Sequence, residues 1–348
     1  MARNRRHQGL GWLSSRFVNE ASPDPESPPS ERSGRSSARN KRIVLYLLIA
    51  LGIGVYLRAP RPWITEREHI TQHFRIESRT SAAQGERLGL AGEALYAAYL
   101  RRFGGLPGFK QEHPLLLLRI YRDRDDFRRI NPDASWAEAF YYRGTCHQYI
   151  KDGPSPYQWA IHEITHQLNT DVAGRDLAKW LSEGTATYFA ASLLIDGQLE
   201  LGAIDIKCYP VFWLADLKLT GDSAVDARAN QFIPLQSIVT NEGGPSLDEH
   251  FNTYYVHWWA LVHFLHHHEN GRWVGAVDKL MLANGSAEAF QEHVGSFAQI
   301  EPVFYEYLRG YAALGPRWSK IRVPVRRPGV WPTWPARKTG SQTNTKRR

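Results

Sequence analysis

A short run near the middle of the chain places two histidines four residues apart with a glutamate between them: His162, Glu163 and His166. Residues four apart lie on the same face of a helix. Apolar residues recur at helical spacing over 157–168, and residues 155–158 have the pattern of a capping box with proline at the first helical position. The sequence therefore predicts a helix that carries both imidazoles beside its buried face.

Two neutral imidazoles at this spacing can bind one Zn²⁺ ion, and Glu163 can accept a proton from a zinc-activated water. Zinc hydrolases use three protein ligands and keep one position for water, so a third ligand is needed. A second amphipathic stretch over 178–189 contains Glu183, and sixteen residues separate it from His166. That separation allows the chain to turn and return antiparallel, so we expect Glu183 to face the imidazoles.

These two segments resemble the gluzincin metallopeptidases. HEITHQL over 162–168 and WLSEGTATYF over 180–189 are similar to the peptidase-MA-like domains of bacterial envelope proteins, including a family described only as a domain of unknown function. The resemblance implies Zn²⁺ ligands at His162, His166 and Glu183, with Glu163 as general base. It is close over 157–191 and looser over 254–266 and 287–308. Thr187 stands where thermolysin-like relatives have a supporting carboxylate.

Catalysis also needs a group that stabilises the oxyanion formed when water attacks a carbonyl. Gluzincins similar to this chain use a tyrosine or histidine from a later helix for this purpose. The aromatic stretch over 253–265 offers Tyr254, Tyr255 and His257. The sequence does not choose among these three catalytic candidates, and each of them also suits a core position behind the site.

A second group of histidines follows in the same stretch: His263, His266, His267 and His268. Their spacing permits metal binding, but no carboxylate lies between them, and Gly271 ends the predicted helix just beyond. Histidines in a last helical turn interact favourably with the helix dipole. We therefore favour a structural role for this group over a second metal site.

The N-terminal region suggests a membrane protein. Residues 43–57 are fifteen uncharged and mostly apolar positions after a basic, Ser- and Pro-rich arm over 1–42, which is typical of disorder. The run also has the length of a signal-peptide core, but it lacks a good cleavage site. We expect an uncleaved transmembrane signal anchor over 43–58. The N-terminus would then lie inside a bacterial inner (cytoplasmic) membrane, with the enzyme-like part periplasmic or extracellular.

Charge is concentrated at the two ends of the chain. The arm has a net charge of +5 and residues 307–348 have +11, which leaves −8 for residues 43–306. We therefore expect no nucleic acid as a partner. The tail over 316–348 also carries tryptophans and prolines, so its partner could be anionic lipid or an acidic envelope polymer, or it could have none. The only cysteines, Cys146 and Cys208, could pair in an oxidising compartment.

The order of the predicted elements indicates the α+β class. A stem over 59–84 is followed by a helix over 85–103, a buried strand over 114–121 and a hairpin over 140–150, and the chain is mostly helical from 157 onward. We expect a small N-terminal sheet packed on a mostly helical zincin-like half within residues 85–315, preceded by the transmembrane helix.

The functional expectation is a membrane-anchored zinc metallopeptidase that hydrolyses peptide or protein substrates with a zinc-activated water and a glutamate base. Two alternatives stay open. One is a zinc-stabilised scaffold or binding module of the cell envelope without catalysis. The other is an amidase on cell-wall peptides, which uses the same chemistry on another substrate.

Overall fold

The computed structural model describes residues 33–58, 62–151, 153 and 155–318. The chain divides into two compact units, Met1–Ala59 and Pro60–Arg348. In the first unit, helix α1 covers Ser33–Arg58, so residues 33–42 of the predicted disordered arm are helical. The rest of that arm, residues 1–32, and residues 319–348 of the predicted tail lie outside the described residues.

In the part of the chain that the structure describes, no helix has both the length and the apolar character that crossing a membrane requires. This finding contradicts the transmembrane helix predicted over 43–58. The physical reason is length. The apolar run has fifteen residues between Arg42 and Arg58. Fifteen helical residues extend about 22 Å at roughly 1.5 Å per residue, whereas the hydrocarbon core of a bilayer is about 30 Å thick.

The second unit begins with a mixed five-stranded sheet. Its strands are β1 (Arg67–Ile70), β2 (Phe74–Ser78), β3 (Leu116–Tyr121), β4 (Ala139–Tyr142) and β5 (Thr145–Tyr149), in the order β1-β2-β3-β5-β4. β2, β3 and β5 are parallel, and β1 and β4 are antiparallel strands at the two edges. The predicted strand over 114–121 and the hairpin over 140–150 are confirmed. The predicted stem is wrong over residues 67–78, because they form β1 and β2.

Helices supply most of the remaining second unit, which confirms the α+β class. A two-stranded antiparallel ribbon joins β6 (Ser192–Ile195) and β7 (Gln198–Ile204). The helices are α2 (Ala82–Phe103), α3 (Arg124–Ile130), α4 (Gln158–Gln167), α5 (Lys179–Ala190), α6 (Ser223–Arg228), α7 (Leu235–Thr240), α8 (Phe251–His267), α9 (Val274–Leu282), α10 (Ala287–His293) and α11 (Phe297–Trp318).

One large apolar core joins the sheet to α2, α4, α5 and α8. Helices α5 and α8 approach each other closely at Gly184. A Cβ atom at Gly184 would lie 2.6 Å from Val262 Cγ2 and 2.7 Å from the Trp258 carbonyl oxygen, so no side chain fits there. Glycine therefore lets α5 pack directly on α8. This contact holds Glu183, the preceding residue, beside the aromatic face of α8.

Candidate metal centre

Helix α4 brings His162 and His166 together as predicted. Their Nε2 atoms are 3.1 Å apart, and their ring centroids are separated by 4.8 Å. The predicted capping box is wrong, because no side chain caps the first turn. The Ser155 hydroxyl donates a hydrogen bond to Asp205 instead. The start of α4 is thus fixed by tertiary contacts and not by a local cap.

A reversal of the chain brings Glu183 to the two histidines. After α4, a π-helical turn over Leu168–Val172 leads back to α5. Glu183 Oε2 then lies 3.2 Å from His162 Nε2 and 3.6 Å from His166 Nε2. Two ligand atoms bound to a tetrahedral zinc ion at about 2.1 Å are about 3.4 Å apart, so the three atoms fit around one ion. Among the described residues, this is the one group of three potential metal ligands that the geometry assembles.

Two neighbouring hydroxyls support these three side chains. The Tyr255 hydroxyl donates a hydrogen bond of 3.0 Å to Glu183 Oε2, and the Ser182 hydroxyl lies 3.1 Å from His166 Nδ1. Such outer contacts orient metal ligands and select the histidine tautomer. Thr187 makes no such contact, because its hydroxyl donates to the Glu183 carbonyl within α5 at 2.7 Å. The supporting groups therefore differ from the carboxylate of thermolysin-like proteins.

Glu163 is buried beside the histidines. Burial raises the pKa of Glu163, and the charges of His162 and His166 lower it only in part. The backbone N–H of Tyr141, in edge strand β4, also donates to this carboxylate. A carboxylate with a raised pKa accepts and returns protons more readily near neutral pH. Glu163 therefore has the properties of a general base.

The pKa of Glu183 moves in the opposite direction. Burial raises it, but hydrogen bonds with His162 and His166 outweigh this effect and hold the pKa of Glu183 well below its usual value. For His166, burial lowers the pKa, and the hydrogen bond and charge of Glu183 raise it above the usual value. Two carboxylates whose pKa values diverge have different roles. The low pKa keeps Glu183 ionised, and the raised pKa of Glu163 favours proton exchange near neutral pH.

Of the three oxyanion candidates, α8 places only Tyr255 at the centre. The Tyr254 hydroxyl donates to the Pro245 carbonyl oxygen at 2.9 Å, and the side chain is buried in the core. Both ring nitrogens of His257 are engaged as well. Its Nδ1 contacts the Thr253 carbonyl at 2.7 Å, and its Nε2 accepts from the backbone N–H of Ile233 at 3.1 Å. The Tyr254 hydroxyl and both ring nitrogens of His257 are therefore engaged with backbone groups, whereas the Tyr255 hydroxyl contacts Glu183.

Tyr209 is a residue at the centre that the sequence did not reveal. It lies between β7 and a short 3-10 helix over Val211–Asp216. Its ring is 5.3 Å from the ring of Tyr255 and 4.9 Å from that of Trp159, and the Trp159 ring is 6.5 Å from that of His162. No motif marks it, because it reaches the site through a long-range contact. Its one signal in the sequence is the nearby cluster of aromatic residues at 209, 212 and 213.

The two cysteines do not form a disulfide. Both thiols are free and buried. The thiol of Cys208 donates to Gln158 Oε1 at 3.0 Å, and the thiol of Cys146 donates to Gln167 Oε1 at 3.3 Å. Each thiol therefore packs against one end of α4, the helix that carries the two histidines.

Comparisons with protein-family models and with curated proteins gave no match to this chain.

Proposed function

We propose that the protein is a zinc-dependent metallopeptidase of gluzincin type, with His162, His166 and Glu183 as zinc ligands. The observation that carries the proposal is the triangle of 3.1, 3.2 and 3.6 Å between the three ligand atoms. These lengths suit one tetrahedral ion. The likeness of both helices to gluzincin motifs supports the same assignment.

When bound, zinc supplies Lewis-acid activation of the attacking water and of the scissile carbonyl. Glu163 accepts the proton of the attacking water and delivers it to the amine that leaves. Its raised pKa suits both transfers. Ser182 and Tyr255 hold the ligands in place through the contacts described above. Three protein ligands leave one coordination position for the reaction.

The presence of Glu163 favours catalysis over a purely structural zinc site. A structural site closes all four positions with protein ligands and has no use for a base. Glu163 is buried next to both histidines. Burying a carboxylate costs folding free energy. A role in proton transfer accounts for the presence of Glu163 at this position in spite of that cost.

The test compares Glu163→Gln with wild-type full-length protein after zinc reconstitution. We expect one zinc per chain in both, measured by plasma mass spectrometry, and casein hydrolysis reduced by about 10²- to 10⁴-fold in the variant. Glu77→Gln is the matched control, because Glu77 is equally buried but lies in the sheet and pairs with Arg119. That control should keep full turnover. Absence of zinc in wild type, or hydrolysis that survives Glu163→Gln, would refute the proposal.

A further inference from the structure

Lys179 is an exposed cation on the side of α5 that faces the candidate metal centre. It is the first residue of the helix, three positions before Ser182 and four before Glu183. With about 3.6 residues per turn, position 179 points between the directions of positions 182 and 183. The Ser182 hydroxyl contacts His166, and Glu183 contacts both histidines. Lys179 therefore extends this face by one turn, about 6 Å from Glu183 along the helix axis.

The charge of Lys179 has no counter-ion among the described residues. Its Nζ atom lies 5.9 Å from the centroid of the Trp258 ring, and this is the one hydrogen-bond, ion-pair or ring contact of its side chain in that part of the chain. The distance is at the limit of about 6 Å for a cation–π contact. The Trp258 ring is 5.0 Å from that of Tyr255, whose hydroxyl contacts Glu183. The lysine thus lies along the α8 surface that leads to the centre.

Helix stability does not account for a lysine at this position. The N-cap residue of α5 is Ala178, which has no polar side chain, and the first turn contains no acidic residue. Because the start of a helix is the positive end of its dipole, a cation there is unfavourable. Positions that break a local rule without a compensating contact are often functional. The charge of Lys179 therefore fits the binding of an anionic ligand better than support of the fold.

The chemistry of the centre indicates which anion this is. The carboxylates of Glu163 and Glu183 balance the charge of one Zn²⁺ ion, so Lys179 adds a further positive charge one helical turn away. Peptides carry their negative charge as carboxylates, either on acidic side chains or at the C-terminus. One residue of an extended peptide spans about 3.3–3.6 Å. A separation of about 6 Å therefore corresponds to one or two residues from the cleaved bond.

We propose that Lys179 is a specificity-determining residue that binds a carboxylate of the peptide substrate one or two residues from the scissile bond. This inference rests on the proposed function and defines its substrate class as peptides with an acidic group near that bond. The ammonium group of lysine is a point charge on a flexible stem, so it suits a C-terminal carboxylate and an acidic side chain alike. The first source would make the protein release short C-terminal fragments, and the second would make it cleave beside acidic residues.

The test compares hydrolysis of a tryptic digest of casein before and after all its carboxyl groups are converted to amides. Wild-type full-length protein should release new amino groups about 5- to 10-fold faster from the untreated digest. Mass spectrometry of the products locates each cut relative to C-termini and to acidic residues, which distinguishes the two sources of the carboxylate. Equal rates on both digests would overturn the proposal.

Three variants assign the preference to the charge of Lys179. Lys179→Met keeps an apolar stem against Trp258 but removes the charge, so the ratio of the two rates should fall to about one. Lys179→Arg keeps the charge and should retain most of the preference. Lys218→Gln is the matched control, because Lys218 is also exposed but its ammonium group contacts the Ala215 carbonyl oxygen. Zinc content should be one per chain in all three variants.

Binding gives a second readout that does not depend on turnover. In zinc-loaded Glu163→Gln protein, calorimetry compares the monohydroxamate of glutaric acid, which has a free carboxylate, with its amide. Adding Lys179→Met should weaken binding of the acid by about 5- to 10-fold and leave that of the amide unchanged. The proposal is refuted if Lys179→Met keeps the preference for the acid in both experiments, or if Lys218→Gln loses it equally. A wild type without zinc or casein hydrolysis would instead remove the proposed function itself.

Discussion

The candidate metal centre and the last turns of α8 each contain two histidines four residues apart, but the side chains around the two pairs differ. His162 and His166 have ring centroids 4.8 Å apart, and His263 and His267 have centroids 4.6 Å apart. In the first pair, the two Nε2 atoms converge to 3.1 Å with Glu183 beside them. In the second, His267 Nε2 contacts the Tyr188 hydroxyl at 2.8 Å and is thereby occupied.

We call His263, His266 and His267 the α8 histidine group. His263 and His266 also contact neighbouring groups. His263 Nδ1 contacts the Tyr307 hydroxyl at 2.6 Å, and His266 Nδ1 contacts the Val262 carbonyl at 2.8 Å. His266 Nε2 accepts from Arg102 Nε at 3.1 Å. No three potential metal ligands of this group come together among the described residues.

The two histidine groups also differ in the charged side chain that the fold places beside them, Glu183 at His162 and His166 and Arg102 at His266. Glu183 stabilises positive charge at His166 and would equally stabilise a metal ion. Arg102 does the reverse, since burial first and its cation second lower the pKa of His266 to about 3. Helical spacing therefore brings imidazoles close together, and another element supplies the carboxylate or guanidinium that sets the charge beside them.

The largest expected effect is a difference in zinc affinity between variants of the candidate metal centre and variants of the α8 histidine group. His162→Ala should weaken zinc affinity by more than about 100-fold, because ligand loss exceeds the effect of losing an outer partner. His267→Ala should keep one zinc per chain with unchanged affinity. Competition with a chromophoric chelator measures both. Equal losses in the two variants would mean that the α8 histidine group also contributes to metal binding.

A smaller effect is expected from Tyr255→Phe, which removes the hydrogen bond to Glu183. Zinc affinity should fall by about 10- to 100-fold, as for other outer contacts of metal ligands. The same chelator competition gives the value, with Tyr254→Phe as the control. If zinc affinity is unchanged while turnover falls, Tyr255 acts on the substrate and not through Glu183.

The smallest effect concerns the pH dependence of stability in the α8 histidine group. His266 has a folded pKa of about 3, below the value of about 6.5 for an unfolded chain. The unfolded state therefore binds the extra proton between these pH values. The stabilisation is complete above pH 6.5 and decreases as pH falls towards 3. When the pH is lowered from 7.5 to 5.5, the protonation of His266 in the unfolded state should decrease the free energy of unfolding by about 1.4 kcal/mol.

Urea unfolding of metal-free protein at pH 7.5 and 5.5 tests this value. Other buried histidines also titrate, so the measured quantity is the difference between wild type and His266→Gln. Glutamine keeps a polar group for Arg102 but has no proton to bind in this range. The variant should lose about 1.4 kcal/mol less than wild type over the interval. An identical loss in both proteins would show that His266 is already accessible to protons in the folded state.

Local patterns predicted the elements that depend on nearby residues. The apolar run over 114–121 became β3, and the turn at Arg143 and Gly144 joined β4 to β5, with both residues at positive φ. The helix of His162 and His166 also followed from apolar periodicity. These features depend on side-chain pattern and turn chemistry within about ten residues.

The sequence predictions that differ from the structure concern features that long-range contacts determine. β1 and β2 are short, with polar residues on exposed positions, and β2 joins the sheet by pairing with β3 some forty residues later. Ser155 caps no helix because Asp205 binds it. On α8, nearly every position over 254–266 is buried, so amphipathicity could not indicate which face meets α5. Packing at Gly184 turned Tyr255 towards the centre and left Tyr254 and His257 in the core.

The sequence by itself determined a histidine pair on one helical face, a glutamate between the two histidines, and a second carboxylate, Glu183, within reach of a short reversal. Helical periodicity alone fixes the relation of His162, Glu163 and His166, because these residues span about one turn of one helix. Only the tertiary structure decided that Glu183 meets His162 and His166 while Arg102 meets His266, that the Tyr255 hydroxyl contacts Glu183, and that Tyr209 packs against Tyr255 and Trp159. Those placements depend on which elements pack together, and residues distant in sequence carry no local signal of their contact.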